Sequence, residues 1–175
     1  MSTDAFCRSN NSIGLAGPIF FRQIPNGFDR QPFRILKFRT MSVTEDGEVV
    51  IQATLKDVRV TRVGSFLRRT SIDELPQLLN VLRGDMSLVG PRSHAQAHDN
   101  AYERLIVNYA QRHKMKPGIT GWAQVNGFRG ETPKLSLMQR RVELDLWYIT
   151  NWSLALDLRI IIRTCFEVLR ARNAF

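Results

Sequence analysis

The 175-residue sequence predicts a single α/β domain that is mostly helical. Two observations carry that reading. Strand-type alternation with turn residues is concentrated near the start, and later on apolar residues recur at helical spacing, interrupted by short extended stretches. No internal repeat or domain boundary interrupts the pattern.

Residues 1–16 mix Ser, Asn and Gly and are expected to form a mobile leader, with the domain proper running from 17 to 175. Gly17-Pro18 punctuates the chain before the apolar run Ile19–Gln23. Pro25-Asn26-Gly27 signals a turn, and Phe33–Phe38 alternates apolar and basic residues. The expected element is a small β-hairpin, Ile19–Gln23 against Phe33–Arg39, with Arg34 and Lys37 on or near its wet side. Thr44–Glu48 reads as a polar loop. Helices are expected at Val63–Arg69 and Glu74–Leu82, the second with Leu75, Leu78, Leu79 and Leu82 on one face and Gly84 as its stop. Ser87–Arg92 is extended and must turn at Gly90-Pro91.

Tyr102, Leu105, Ile106, Tyr109 and His113 form a helical stripe that predicts a helix over Asn100–His113. Lys116-Pro117-Gly118 and Gly121 mark loops around Trp122–Val125, a short strand or turn. A long helix follows from Leu135 to Trp152, with Leu135, Met138, Val142, Leu146 and Ile149 on one face. The last helix, Leu154–Leu169, aligns Leu154, Leu158, Ile161, Ile162, Cys165 and Leu169, largely opposite Arg159, Arg163 and Arg170. Core packing is the expected use of that stripe, an anionic membrane surface the alternative.

Composition narrows the function classes. Hydrophobic residues at 43% and charged residues at 23% exclude a disordered or collagen-like chain. No apolar run reaches about 18 residues, and Met1–Asn11 lacks the apolar region of a secretory signal. Cys7 and Cys165 make neither a disulfide scaffold nor a zinc pattern. The net charge of +9 points to anionic partners: nucleic acid, phosphorylated metabolites or an acidic membrane surface.

The most informative window is Leu67–Pro76, where Asp73 and Glu74 follow Arg68 and Arg69 closely. Aspartate can attack phosphoryl groups, a neighbouring Glu can hold a divalent metal, and arginines can clamp phosphate oxygens. The competing reading is structural: Ser71 with Glu74 fits a capping box, and Asp73 suits a first helical turn. Lys37-Phe38-Arg39-Thr40 ends a strand with two cations, either a phosphate site or a solvated face. Gly84–Arg92 places Arg92 on a tight turn. His94 and His98 lie four apart without a further metal-ligand pattern, so surface histidines are expected. Asp145 sits among Leu144, Leu146 and Trp147, which suggests partial burial, with a pairing to Arg141 as the plain alternative. No phosphate-binding glycine motif occurs.

Taken in order, these windows resemble the bacterial sugar transferases, the polyprenyl-phosphate hexose-1-phosphate transferases. The matching runs are Gly17–Gln23, Lys37–Met41, Leu67–Gln77, Gly84–Arg92, Lys116–Trp122 and Val142–Asp145, together covering about Gly17 to Phe175. The run Gly118–Glu131 and the Asn-Ala-Phe ending look most like undecaprenyl-phosphate glucose phosphotransferases. The resemblance implies a monotopic phosphoglycosyl transferase-like catalytic domain, with several amphipathic helices, at the cytoplasmic face of the bacterial inner membrane. Asp73 would attack the sugar-bearing phosphate of a UDP-hexose, and undecaprenyl phosphate would then accept the phosphosugar, initiating exopolysaccharide or capsule repeat-unit synthesis. Glu74 would bind Mg²⁺. Lys37, Arg39, Arg68 and Arg92 match the family's phosphate-binding positions, and Asp145 its later acidic position.

Three departures accompany the match. The family carries a hydrophobic re-entrant helix before its first motif, and its larger members a longer membrane region; here sixteen mostly polar residues precede that motif. Pro25 stands where the family usually has Arg, and Ser93 where it has Pro. These motivate an alternative: a truncated, inactive homologue acting as an interaction partner or remnant in the same pathway. The expected partners are a UDP-hexose, undecaprenyl phosphate and the inner-membrane surface. No nucleic-acid motif occurs, and the oligomeric state is left open, a homo-oligomer included.

Overall fold

A computed structural model describes residues 18–42, 57–130, 132 and 134–170, with the side chains of Leu169 and Arg170 left aside. The expected leader at 1–16, the loop at Thr44–Glu48 and Cys7 lie outside the described residues. The first strands, β1 (Phe20–Gln23) and β2 (Ile35–Phe38), form the expected antiparallel hairpin, with Phe20 opposite Phe38 and Gln23 opposite Ile35. Side chains alternate along a strand, so Arg34 and Lys37, three residues apart, take opposite faces. Ile35 is buried, and Lys37 follows it inward while Arg34 stays in solvent. The expectation that Lys37 sits on the wet side is therefore corrected.

Helix α1 (Arg62–Thr70) starts at Thr61, whose Oγ1 accepts from the Gly64 N–H at 2.9 Å. It stops at Ser71, which is left-handed with φ 61°. A 3-10 turn follows at Ile72–Glu74, and α2 (Gln77–Arg83) begins after Pro76. One helix over Glu74–Leu82 was expected. Pro76 has no N–H to donate and instead serves as the N-cap of a shorter helix. The capping box is corrected too: Ser71 closes α1, and its side chain makes no cap hydrogen bond. Helix α2 turns its polar side inward. Fully buried Asn80 accepts from Leu36 N–H at 3.1 Å and donates to Arg34 O at 2.7 Å, riveting α2 to β2. Leu75, Leu78, Leu79 and Leu82 face out, Leu82 with 83% of its surface exposed.

Strands β3 (Ser87–Val89) and β4 (Gly118–Thr120) pair in parallel, Ser87 beside Gly118 and Val89 beside Thr120. A Cβ on Gly118 would stand 2.1 Å from the Gly90 nitrogen, so this approach requires glycine. The helix expected over Asn100–His113 is broken. Helix α3 (Gln96–Glu103) ends early, left-handed Asn108 reverses the chain, and a 3-10 segment carries Tyr109–Lys114. The stripe is real, with Ile106, Tyr109 and His113 buried, but it spans two segments. Trp122–Val125 is a one-turn helix, α4.

Helices α5 (Leu135–Thr150) and α6 (Leu154–Arg170) complete the chain. Helix α5 links two apolar clusters. Tyr148 packs with Val89, Val125 and Ile160, and Met138 and Val142 pack with Ile106 and Tyr109. Core packing of the α6 stripe holds only for Ile161, partly buried against the Val89–Tyr148 cluster; the helix's fully buried anchor is Ile160, outside the stripe, and Leu154, Leu158 and Ile162 are 55–68% exposed. The protein is thus mostly helical α/β with two two-stranded sheets. No helix among the described residues is long and apolar enough to cross a membrane.

Candidate active site

The left-handed turn at Ser71 ends α1 and swings the 3-10 turn beneath β2, so that the Asp73–Glu74 pair meets Lys37. Glu74 is 8% exposed and carries the tightest contacts. Arg92 Nη2 donates to its Oε1 at 2.6 Å and Nη1 to its Oε2 at 3.4 Å, while Lys37 Nζ stands 3.7 Å from Oε1. Burial alone would raise the Glu74 pKa, but Arg92, Lys37 and Arg129 outweigh it and hold the carboxyl down to about 2. Glu74 is therefore a fixed anion.

Asp73 differs. It is half-buried, and among the described residues nothing donates a hydrogen bond to its carboxylate. Burial raises its pKa first, the Glu74 charge adds to this, and Lys37, Arg92 and Arg68 pull it back in part. Adjacent carboxylates with diverging pKa values mark a division of labour: Glu74 stays charged and engaged, Asp73 is more basic and open. Lys37 is lowered, chiefly by burial. Arg68 Nε donates to Thr40 Oγ1 at 2.9 Å, which fixes its guanidinium near Asp73.

Of the candidates, Asp73, Glu74, Lys37, Arg68 and Arg92 come together in one cluster. Arg39 lies one residue past the end of β2, its backbone N–H donating to Ile19 O at 2.8 Å. Asp145 lies deeper, 2% exposed. Its burial is as expected, but its partner is Arg112, whose Nε donates to Oδ2 at 2.9 Å. Arg141, the anticipated partner, instead donates to Gly130 O at 2.5 Å. Arg112 Nη2 also donates to Arg92 O at 2.7 Å, so Arg112 and the Arg92 backbone link Asp145 to the cluster by hydrogen bonds. Pro25 is fully buried and bridges Ala95.

The surface-histidine expectation fails for His94. His94 precedes α3 with its side chain 10% exposed and Nδ1 2.7 Å from Tyr109 Oη, which in turn donates to Asp99 Oδ1 at 2.7 Å. Burial first, then Arg112, Arg141 and Arg92, keep its pKa well below the usual imidazole value. His94 is a neutral member of a buried polar network.

Three contributors carry no sequence pattern of their own. Arg129 reaches Ser71 Oγ and lies beside the dyad. Gln124 lines a cavity of about 240 Å³ next to Glu74. Arg112 precedes His113 but falls outside the stripe of Tyr102, Leu105, Ile106, Tyr109 and His113. For Arg129 the one available signal was its place within the run Gly118–Glu131.

No group of three or more His, Cys, Asp or Glu side chains that could hold a metal occurs among the described residues. Asp73 and Glu74 nonetheless fit Mg²⁺, which is commonly held by one or two carboxylates with substrate phosphates and water completing its shell. Glu74 is anionic at any working pH, and a carboxylate has lone pairs beyond those Arg92 occupies.

The sequence profile of the bacterial sugar transferases matches residues 9–171. The chain is 58% identical, over 91% of its length, to a UDP-glucose:undecaprenyl-phosphate glucose-1-phosphate transferase of Xanthomonas campestris pv. campestris, of which it spans 33%. It is 58% identical, over 89% of its length, to the protein of that name from Escherichia coli K12, again spanning 33%. Identity to the Caulobacter vibrioides protein of that name is 56% over 91% of this chain and 60% of the relative.

Proposed function

The chain belongs to the bacterial sugar transferase family, and we propose that it is the catalytic part of a phosphoglycosyl transferase that moves hexose 1-phosphate from a UDP-hexose to undecaprenyl phosphate. One observation carries the proposal: the dyad keeps Asp73 open while Lys37, Arg68 and Arg92 crowd around it and Glu74 is pinned as an anion. Phosphoryl transfer needs little beyond an in-line nucleophile and neutralised charge, and this cluster offers both.

In this reading an Asp73 carboxylate oxygen attacks the sugar-bearing phosphorus. The bond to the bridging oxygen breaks, UMP leaves with that electron pair, and an acyl-phosphate links Asp73 to the hexose. An oxygen of undecaprenyl phosphate then attacks the same phosphorus. Asp73 departs as carboxylate and the lipid-linked diphosphate sugar is released. Lys37, Arg68 and Arg92 hold the diphosphate oxygens, with Arg39 at the strand end completing the basic edge. Arg112, itself held by Asp145, fixes the Arg92 backbone. Glu74, with Asp73 beside it, would hold Mg²⁺, which when bound supplies charge neutralisation on the diphosphate.

The glucosyl group is the favoured hexose because relatives at 56–58% identity are named for UDP-glucose. The exposed leucines of α2 and the stripe Leu154, Leu158, Ile162 and Phe166 on α6 support docking at the cytoplasmic face of the inner membrane, where the lipid acceptor resides. The direct test is UMP release from UDP-glucose with Mg²⁺ and undecaprenyl phosphate. Wild-type protein releases UMP and Asp73→Asn does not; equal activity of the two refutes the assignment. A correctly folded wild type without turnover favours the inactive-homologue alternative.

A further inference from the structure

The cavity next to Glu74, about 240 Å³ in volume, lies where α2, β4, α4 and α6 meet. Arg129 is half-buried in its wall, and Ser71 Oγ accepts from one of its N–H groups. The two carboxylates that line the cavity leave it without an ion pair: Glu74 is held by Arg92, and Glu167 stands more than 4 Å away. The remaining nitrogens of Arg129 are not sealed from solvent, so a ligand can reach them. Burial first, then the like charge of Arg92, lower its pKa. A desolvated guanidinium beside a second one is stabilised by an anion that joins it. The threonine hydroxyls of the wall are already engaged. Thr70 Oγ1 donates to Phe66 O at 2.9 Å, Thr164 Oγ1 to Ile160 O at 2.8 Å, and Thr120 Oγ1 meets Thr164 Oγ1 at 2.6 Å. Beside them stand Leu75, Leu78, Ile119, Val125 and Val168. Leu75 and Leu78 also belong to the exposed leucine face of α2, so the cavity runs into that apolar surface.

We propose that this cavity is the subsite of the lipid acceptor: Arg129 pairs with the phosphate of a polyprenyl phosphate, and the aliphatic wall receives the isoprene units next to it. The inference rests on the reading of the dyad as a sugar-phosphate transferase site and names where its second substrate binds. The wall joins a guanidinium without a countercharge to aliphatic side chains, so its occupant joins an anion to hydrocarbon. Of the two substrates, the UDP-hexose carries polar groups on both sides of its diphosphate. The polyprenyl phosphate carries hydrocarbon directly on its phosphate. Size agrees. A cavity of about 150 Å³ takes a benzene ring, so this one has room for roughly one or two isoprene units. The rest of the chain continues along the exposed leucines of α2 toward the bilayer. The charges of Glu74 and Asp73 both act on Arg129, so a phosphate held there stands beside the sugar phosphate carried on Asp73.

The test is calorimetric binding of geranyl phosphate, a short soluble member of this lipid class, against inorganic phosphate. Wild-type protein is expected to bind geranyl phosphate about tenfold or more tightly than inorganic phosphate, from burial of its first isoprene unit. Arg129→Met is expected to weaken geranyl phosphate about tenfold or more, the worth of one charge-assisted hydrogen bond. Val168→Phe, on the partly exposed α6 wall, fills the cavity and leaves Arg129 in place. It is expected to bring geranyl phosphate within about threefold of inorganic phosphate, and it serves as the second probe if Arg129→Met folds poorly. In turnover, Val168→Phe is expected to raise the KM for undecaprenyl phosphate about tenfold and that for UDP-glucose less than about twofold. Equal binding of the two probes by wild type, or geranyl phosphate affinity unchanged in either variant, overturns the proposal. A KM rise that falls on UDP-glucose instead places the donor in the cavity and also overturns it. Any of these with intact hexose phosphate transfer by wild type leaves the transferase reading standing. A wild type that binds neither probe and releases no UMP from UDP-glucose overturns both.

Discussion

Replacing Glu74 by Gln isolates the electrostatics of the cluster. The carboxyl lies almost wholly out of solvent, and Arg92 and Lys37 hold its pKa at about 2 against an ordinary 4.5. At about 1.4 kcal/mol per pKa unit, that shift is worth roughly 3 kcal/mol of folding stability at neutral pH. Gln keeps the shape but leaves Arg92 and Lys37, each about a quarter exposed, with only the neighbouring Asp73 as countercharge, and breaking a buried pair typically costs about 3–5 kcal/mol. The expected loss is therefore about 3 kcal/mol at pH 7, a fall in Tm on the order of 10 °C for a chain this long. The folded pKa lies below the unfolded one, so the stabilisation is complete above about pH 4.5 and disappears as pH falls toward about 2. Urea melts of wild type and Glu74→Gln, repeated from pH 7 downward, should show a gap that narrows below about pH 5. A variant as stable as wild type at pH 7, or a gap independent of pH, would refute the reasoning.

Four further outcomes follow. Asp73 has a raised pKa, caused first by burial, so its ionised form costs stability at neutral pH; Asp73→Asn should raise the pH 7 Tm, and that gain should shrink as pH drops through the Asp73 pKa. The same shift should set an acid limb in the pH–rate profile above the ordinary carboxylate value of 3.8, visible in UMP release. Lys37→Met should lower kcat/KM on the order of 100-fold while leaving urea stability closer to wild type than Glu74→Gln does, since it removes a partly desolvated cation rather than the shared anion. On α6, Leu158→Glu with Ile162→Glu should leave thermal stability within about 1 kcal/mol and reduce sedimentation with anionic liposomes, because both side chains are more than half exposed.

The cluster was legible because the residues that build it carry local signals. Lys37 ends a patterned strand, Arg92 follows a Gly-Pro turn, and the dyad trails Arg68 at fixed spacing. The hairpin was legible from its turn residues, although strand alternation already forbade placing Arg34 and Lys37 on one side. Periodicity announced the apolar faces of α2 and α6 correctly but not what they meet, because spacing reveals a stripe and not its covering. Ser71 and Glu74 satisfy the capping-box pattern equally well when Ser71 closes the preceding helix in a left-handed conformation. Gln124, Arg129 and Arg112 were illegible for a different reason. Each gains its role from a long-range contact: Gln124 from the cavity shared with α2 and α6, Arg129 from Ser71, and Arg112 from Asp145 and the Arg92 carbonyl.

The claim that Asp73 is the nucleophile is tested most directly without the lipid acceptor. Incubated with UDP-glucose and Mg²⁺ alone, the wild-type protein should release UMP in a burst of at most one equivalent per chain. Intact-protein mass spectrometry should show the addition of one hexose phosphate, mapped to the peptide that contains Asp73 and absent from Asp73→Asn. UMP release that requires undecaprenyl phosphate, with no hexose phosphate on the protein, would mean direct transfer between substrates and would contradict the account.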